Sequence, residues 1–220
     1  MSIKHVLVSG IVAALATASV SAMNIAQNGG FETGTGADSD FWTEFGGGPA
    51  GTSSERSTAG AISGNWSHVL NAVGDATAGA SAGINYNSIS DGGFASLQEG
   101  TSVTLSFDAN FDPGPGGVGF YALRILNSNG AIVADSGLQN LLSGSNSYNN
   151  ILSLNVPAFA ASPNDVYAAF VEFSVGAGAF DGSSSTAIID NVVIDATLVP
   201  APGAAGLLAL GGLAAARRRR

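Results

Sequence analysis

The chain contains no cysteine. A disulfide scaffold and a thiolate metal site are therefore excluded, and stability has to come from core burial. Charge is nearly as scarce, at 10% of residues. Of the seven basic residues, Lys4 and Arg217, Arg218, Arg219 and Arg220 lie in the two ends. Between residues 23 and 199 only Arg56 and Arg124 stand against all sixteen carboxylates, a formal charge of −14 compared with −9 for the whole chain. A surface of that sign repels nucleic acid and anionic lipid, so neither is expected as a partner. Histidine occurs twice, and only His68 lies in the body. There is no histidine cluster for a metal, no nucleophile-elbow motif stands beside His68, and no carboxylate pair is singled out for glycoside hydrolysis. The expectation is that the protein is not an enzyme.

What is present is glycine, 31 residues of it, with abundant Ser, Asn and Asp between apolar runs. That pattern reads as a turn-rich all-β domain. Thr101–Phe107 alternates, with Val103, Leu105 and Phe107 on one side. Val166–Val175 does the same: Tyr167, Ala169, Val171, Phe173 and Val175 oppose Ala168, Phe170, Glu172 and Ser174. Phe41-Trp42-Thr43-Glu44-Phe45 suits a half-buried strand. Asn127-Ser-Asn-Gly130 predicts a hairpin between Val118–Leu126 and Ala131–Ala134. Gly46–Gly64 and Gly137–Asn150 read as loops, although Leu138, Leu141 and Leu142 also match one helical turn. About nine strands without βαβ periodicity close most naturally as an antiparallel two-sheet jelly-roll sandwich.

The ends differ from the body. Residues 1–22 have a short start with Lys4, an apolar run from Val6 to Val20 and a small-residue close at Val20-Ser21-Ala22, the pattern of a secretory signal peptide. Residues 200–220 read Pro200-Ala201-Pro202, an uncharged apolar Gly203–Ala216, then four arginines. This layout resembles the PEP-CTERM sorting signal, with Ala201 at the middle position where that family has Glu. The resemblance implies a short hydrophobic membrane helix, processing by an exosortase-type sorting protease, and transient anchoring in the inner membrane with the arginines on the cytoplasmic side. The destination it implies is the cell surface or the extracellular matrix. Residues 23–199 are left as the single folded domain.

Within that domain, Asn28-Gly29-Gly30-Phe31-Glu32 near its start and Ile189-Asp190-Asn191-Val192 near its end are similar to galactose-binding-like and family 4/9-type carbohydrate-binding modules. The resemblance implies a jelly roll whose first and last strands lie together, with a structural calcium ion held by Glu32 and Asp190. A second reading of these two carboxylates has them bonded to backbone amides. A sugar site needs aromatic faces beside polar groups. Trp42, Trp66, Tyr86, Tyr121 and Tyr148 are the candidate platforms, with Asn85, Asn87 and Asp91 as neighbours. The competing reading places the large aromatics in the core. The expected function is that of an exported, non-catalytic surface or matrix protein in contact with extracellular polysaccharide. The alternative is a dedicated carbohydrate-binding module.

Overall fold

A computed structural model describes residues 22–157 and 166–197. All of the expected signal peptide except Ala22, the Pro-Ala-Pro tail, its apolar helix and the terminal arginines lie outside the described residues. Among the described residues every regular element is a strand, and no helix is long and apolar enough to cross a membrane.

The strands are β1 (Ala22–Asn24), β2 (Gly34–Thr35), β3 (Asp38–Ser39), β4 (Thr43–Gly47), β5 (Ser53–Ser57), β6 (Ser67–Val73) and β7 (Ala80–Asn87). They continue with β8 (Ser102–Asp112), β9 (Gly117–Leu126), β10 (Ile132–Asp135), β11 (Gln139–Asn140), β12 (Gly144–Asn155), β13 (Ala168–Ala177) and β14 (Ser184–Thr197). The first sheet runs β12-β8-β14-β6-β5, with β1 added beside β14. The second runs β10-β9-β13-β7-β4, with β11 also on β9. Every pairing is antiparallel. From β7 onward the long strands switch sheets: β7 second, β8 first, β9 second, β12 first, β13 second, β14 first. Two antiparallel sheets with this crossing connectivity make the jelly-roll sandwich expected from the sequence.

Alternation builds the core. Val103, Leu105, Phe107, Ala109 and Phe111 of β8 are buried, and so are Val171, Phe173 and Val175 of β13. Each fully buried large apolar side chain of this kind contributes about 1.5–3 kcal/mol of transfer free energy. In β14 the inward residues are Ser185, Ala187 and Ile189, then Val192, Ile194 and Ala196. The parity change falls at a bulge between Asp190 and Val193, where Asn191 has φ 52°. An inserted residue shifts side-chain parity in this way and re-aims what precedes it, here Asp190.

Two segments expected to be loops contain strands. Gly46–Gly64 includes β5, whose Arg56 turns inward and is 7% exposed. Gly137–Asn150 includes β11 and the first half of β12. β12 is rich in Ser and Asn because much of it is open to solvent; Tyr148 is its buried anchor. The Asn127–Gly130 hairpin forms as expected, closed by Asn127 N–H donating to Ala131 O and Gly130 N–H donating to Asn127 O. The start and end of the domain lie together: β1 pairs with β14, and Val192 N–H donates to Gly29 O.

Candidate functional site

Residues directly opposite one another in adjacent strands point to the same face of a sheet. On β13 the face away from the core carries Phe170, Glu172 and Ser174. Register extends each of these into a row. Phe170 lies between Asn87 of β7 and Arg124 of β9, and Arg124 lies opposite Asp135 of β10. Glu172 lies between Asn85 and Ala122, and Asn85 lies opposite Thr43 of β4. Ser174 lies between Gly83 and Phe120; beyond them stand Phe45 of β4 and Asn140 of β11. The outer face of the second sheet thus presents three phenylalanines, Phe45, Phe120 and Phe170, interleaved with amide, hydroxyl, carboxylate and guanidinium groups.

Phe45 is 37% exposed, and Phe120 and Phe170 are half-buried. The Phe45 ring lies across Gly83: a Cβ there would come within 2.2 Å of its Cζ, so the glycine is what lets the ring lie flat on the sheet. Arg124 anchors the other side. Its Nη1 donates to Glu172 Oε2 at 2.6 Å, its Nε is 3.5 Å from Asp135 Oδ1, and its guanidinium carbon is 6.0 Å from the centre of the Phe170 ring. Beside β4 a cavity of about 320 Å³ is lined by Glu44, Phe45, Thr52, Ser53, Ser54 and Ser81, so Phe45 and Ser81 belong to both face and cavity.

Four of the candidate platforms lie in the core, as the competing reading has it. Trp42 is 5% exposed; its Nε1–H donates to Gln27 O, and its ring packs on Phe31 and Tyr86. Tyr86 is fully buried, its hydroxyl donates to Ile25 O and accepts from Gln27 N–H, and burial pushes the phenol above its usual range. Tyr121 and Tyr148 surround Phe107 between the sheets. Large amphipathic rings fill the space between sheets best when a backbone carbonyl is near enough to take their polar atom. Trp66 is half-buried, and the Arg56 guanidinium covers one face 3.5 Å from the ring centre. Arg56 in turn donates to Phe31 O and Glu32 O. Asp91 accepts from Asn87 N–H and Ser90 Oγ, which closes the turn after β7. Trp42, Trp66, Tyr86 and Asp91 therefore form no common face.

Glu32 and Asp190 are brought together, as expected, on either side of Gly30. Glu32 Oε1 accepts the Asn65 and Trp66 N–H groups at 2.8 and 3.1 Å. Asp190 Oδ2 accepts those of Ile62 and Ser63 at 3.0 and 2.8 Å, and Oδ1 that of Asn191 at 2.7 Å. Burial pushes the Asp190 carboxyl above its usual range, the three amides pull it back, and nearby Glu32 adds to the rise. Calcium takes about six to eight oxygens. Here five N–H groups converge on the two carboxylates, and no third Asp, Glu or His completes a metal cluster among the described residues. The contacts match the second reading of these carboxylates, bonded to backbone amides: four come from residues 62–66 and one from Asn191.

His68 in β6 is fully buried and faces two polar neighbours. Its Nδ1 is 2.9 Å from Ser39 Oγ and its Nε2 is 2.9 Å from Ser54 Oγ. Ser54 Oγ donates to Gly83 O at 2.7 Å, which leaves Nε2–H as donor to Ser54 and Nδ1 as acceptor from Ser39. Desolvation lowers the ring pKa to about 3. Gly79-Ala-Ser-Ala-Gly83 has the spacing of a nucleophile elbow. It runs into and along β7 instead of forming a strand-to-helix turn, and His68, committed to Ser39 and Ser54, is no base for Ser81.

No family model matches the chain, and no characterised protein matches it in sequence. Solved structures similar to it include the enzymatically active domain of bacteriophage CBA120 tailspike protein 4. The identity is 23% over 78% of this chain and 21% of that one, with a TM-score of 0.49. A CBM4 structure matches at 18% identity over 70% of this chain and 94% of that one, TM-score 0.41. The CBM22-1 xylan-binding domain of Paenibacillus barcinonensis Xyn10C matches at 12% identity over 83% of this chain and 100% of that one, TM-score 0.47. The chain spans about a fifth of the tailspike chain. The sandwich itself is established by the strand pairing described above, and these values carry no further assignment.

Proposed function

We propose that the protein is an exported, non-catalytic surface or matrix protein that contacts polysaccharide through the outer face of β4, β7, β13 and β9. The observation that carries this reading is the placement of Phe45, Phe120 and Phe170 on one face among Asn85, Ser174, Glu172 and Arg124. A pyranose ring has an apolar C–H face that stacks on an aromatic ring and a rim of hydroxyls that bond to amides and carboxylates. Glu172, held in place by Arg124, is an acceptor for hydrogen bonds from sugar hydroxyls. Export rests on the pattern of residues 1–22 and 200–220 alone: Pro200 and Pro202, the apolar stretch and Arg217–Arg220.

Retardation of residues 23–199 in gels containing defined polysaccharides tests the binding face. Phe45→Ala and Phe170→Ala are expected to weaken retention by about tenfold each, and Trp66→Ala to leave it unchanged. Retention that survives both phenylalanine changes removes this face as the site. Deleting residues 203–220 tests the sorting reading: the protein is expected in the medium, and undiminished surface retention refutes that part.

A further inference from the structure

The two sheets are closed at their sides by β12 and β5 in the first and by β10 and β4 in the second. Three of these strands have four or five residues and carry charge: Glu44 in β4, Glu55 and Arg56 in β5, Asp135 in β10. β12 has twelve residues and none. Its strand partner is β8 alone, so the backbone groups along its far side have no strand against them among the described residues. A free edge is ordinarily blunted by Lys, Pro, an inward charge, short length or a bulge. β12 has only the last of these. Its one irregularity is a bulge between Tyr148 and Leu152, and the strand pairs with β8 on both sides of it. Leu142 just before the strand is 60% exposed, and Ile151 within it is 45% exposed.

Charge selects the occupant. Residues 23–199 hold two cations and sixteen carboxylates, so two copies repel over most of their surfaces. No charged residue occurs from Ser136 to Asn164, so β12 lies in the longest neutral stretch of the domain. The strand itself brings no like charges face to face when two copies meet along it and offers a charged partner nothing to pair with; the carboxylate beside it in the sheet is Asp108 of β8, opposite Ser147. A strand set antiparallel against itself is self-complementary, as a two-fold interface requires. We propose that a second copy of this chain pairs antiparallel along β12, so that the first sheets of two sandwiches continue into one across a two-fold axis.

Sedimentation of the full chain over a concentration series tests this. The unchanged protein is expected to sediment as a concentration-dependent dimer. Asn149→Glu and Ile151→Glu, both exposed and near the middle of the strand, where a two-fold axis brings each residue close to its own copy, place like charges together and are expected to weaken the dimer by at least about tenfold. Asn129→Glu adds the same charge in the hairpin turn and is expected to leave the dimer intact. Melting of each variant identifies any that fails to fold, and either position serves if the variant at the other does. A monomer at every concentration overturns the proposal, and so does a dimer indifferent to both edge charges. Polysaccharide retention by the same variants is a separate readout, because the phenylalanine face belongs to the other sheet.

Discussion

Acidification is expected to destabilise the domain through His68. The ring is fully buried with both nitrogens committed to serine hydroxyls, and its pKa falls from 6.5 to about 3 on folding. A folded pKa below the unfolded one means that the unfolded chain takes up the proton first. The contribution is therefore fully present above pH 6.5 and is lost as pH falls from there towards 3. Between pH 8 and pH 5 the loss amounts to about 2 kcal/mol, because at pH 5 the unfolded histidine is mostly charged and the folded one is neutral. Asp190 acts in the opposite sense. Its raised folded pKa adds stability that is present at low pH and lost as pH rises through that value, and it is common to both proteins compared below. The assay is urea unfolding followed by the fluorescence of buried Trp42 at pH 8, 7, 6 and 5, for the unchanged protein and for His68→Gln. The variant starts lower at pH 8, by about 1–3 kcal/mol for its disturbed buried hydrogen bonds. Its pH dependence is expected to be shallower by about 2 kcal/mol over the range. Parallel curves refute the reasoning and place a charged or solvated imidazole in the folded state.

Other consequences are as specific. Gly83→Ala puts a methyl group into the Phe45 ring, so it should lift that ring off the sheet and reduce polysaccharide retention about as much as Phe45→Ala, with a melting midpoint close to the unchanged protein. Asp190→Asn turns an amide NH2 towards at least one of the N–H donors of Ile62, Ser63 and Asn191, so part of this set of hydrogen bonds is lost, and chemical denaturation should show a loss of about 1–3 kcal/mol. Because those amides already satisfy the carboxylate, a chelator should leave the melting midpoint unchanged; a drop on chelation would restore calcium to the Glu32–Asp190 pair.

Much of the sandwich was legible because alternation states which side chains share a face. Val166–Val175 already separated Phe170, Glu172 and Ser174 from the buried set, and Phe41–Phe45 separated Phe45 from Trp42. What alternation does not contain is register between strands far apart in the chain, and only register sets Phe45, Phe120 and Phe170 side by side. Residue type left two readings open, platform or core; for Trp42 and Tyr86 the core reading holds, because their size fills it and their polar atoms reach backbone carbonyls of residues 25 and 27. Glu32 and Asp190 were legible as a pair because the first and last strands meet. The five amides that occupy them come from the 62–66 loop and the Asn191 bulge, which no motif announces. The Ser- and Asn-rich first half of β12 reads as a loop because one-sided burial leaves little apolar pattern.

The central claim is that the outer phenylalanine face binds polysaccharide. Its most direct test is a glycan-panel screen of residues 23–199 beside the double variant Phe45→Ala/Phe170→Ala. Binding to at least one polysaccharide, lost in the double variant while the melting midpoint holds, is the predicted result. Equal binding by both proteins, or none by either, contradicts the claim.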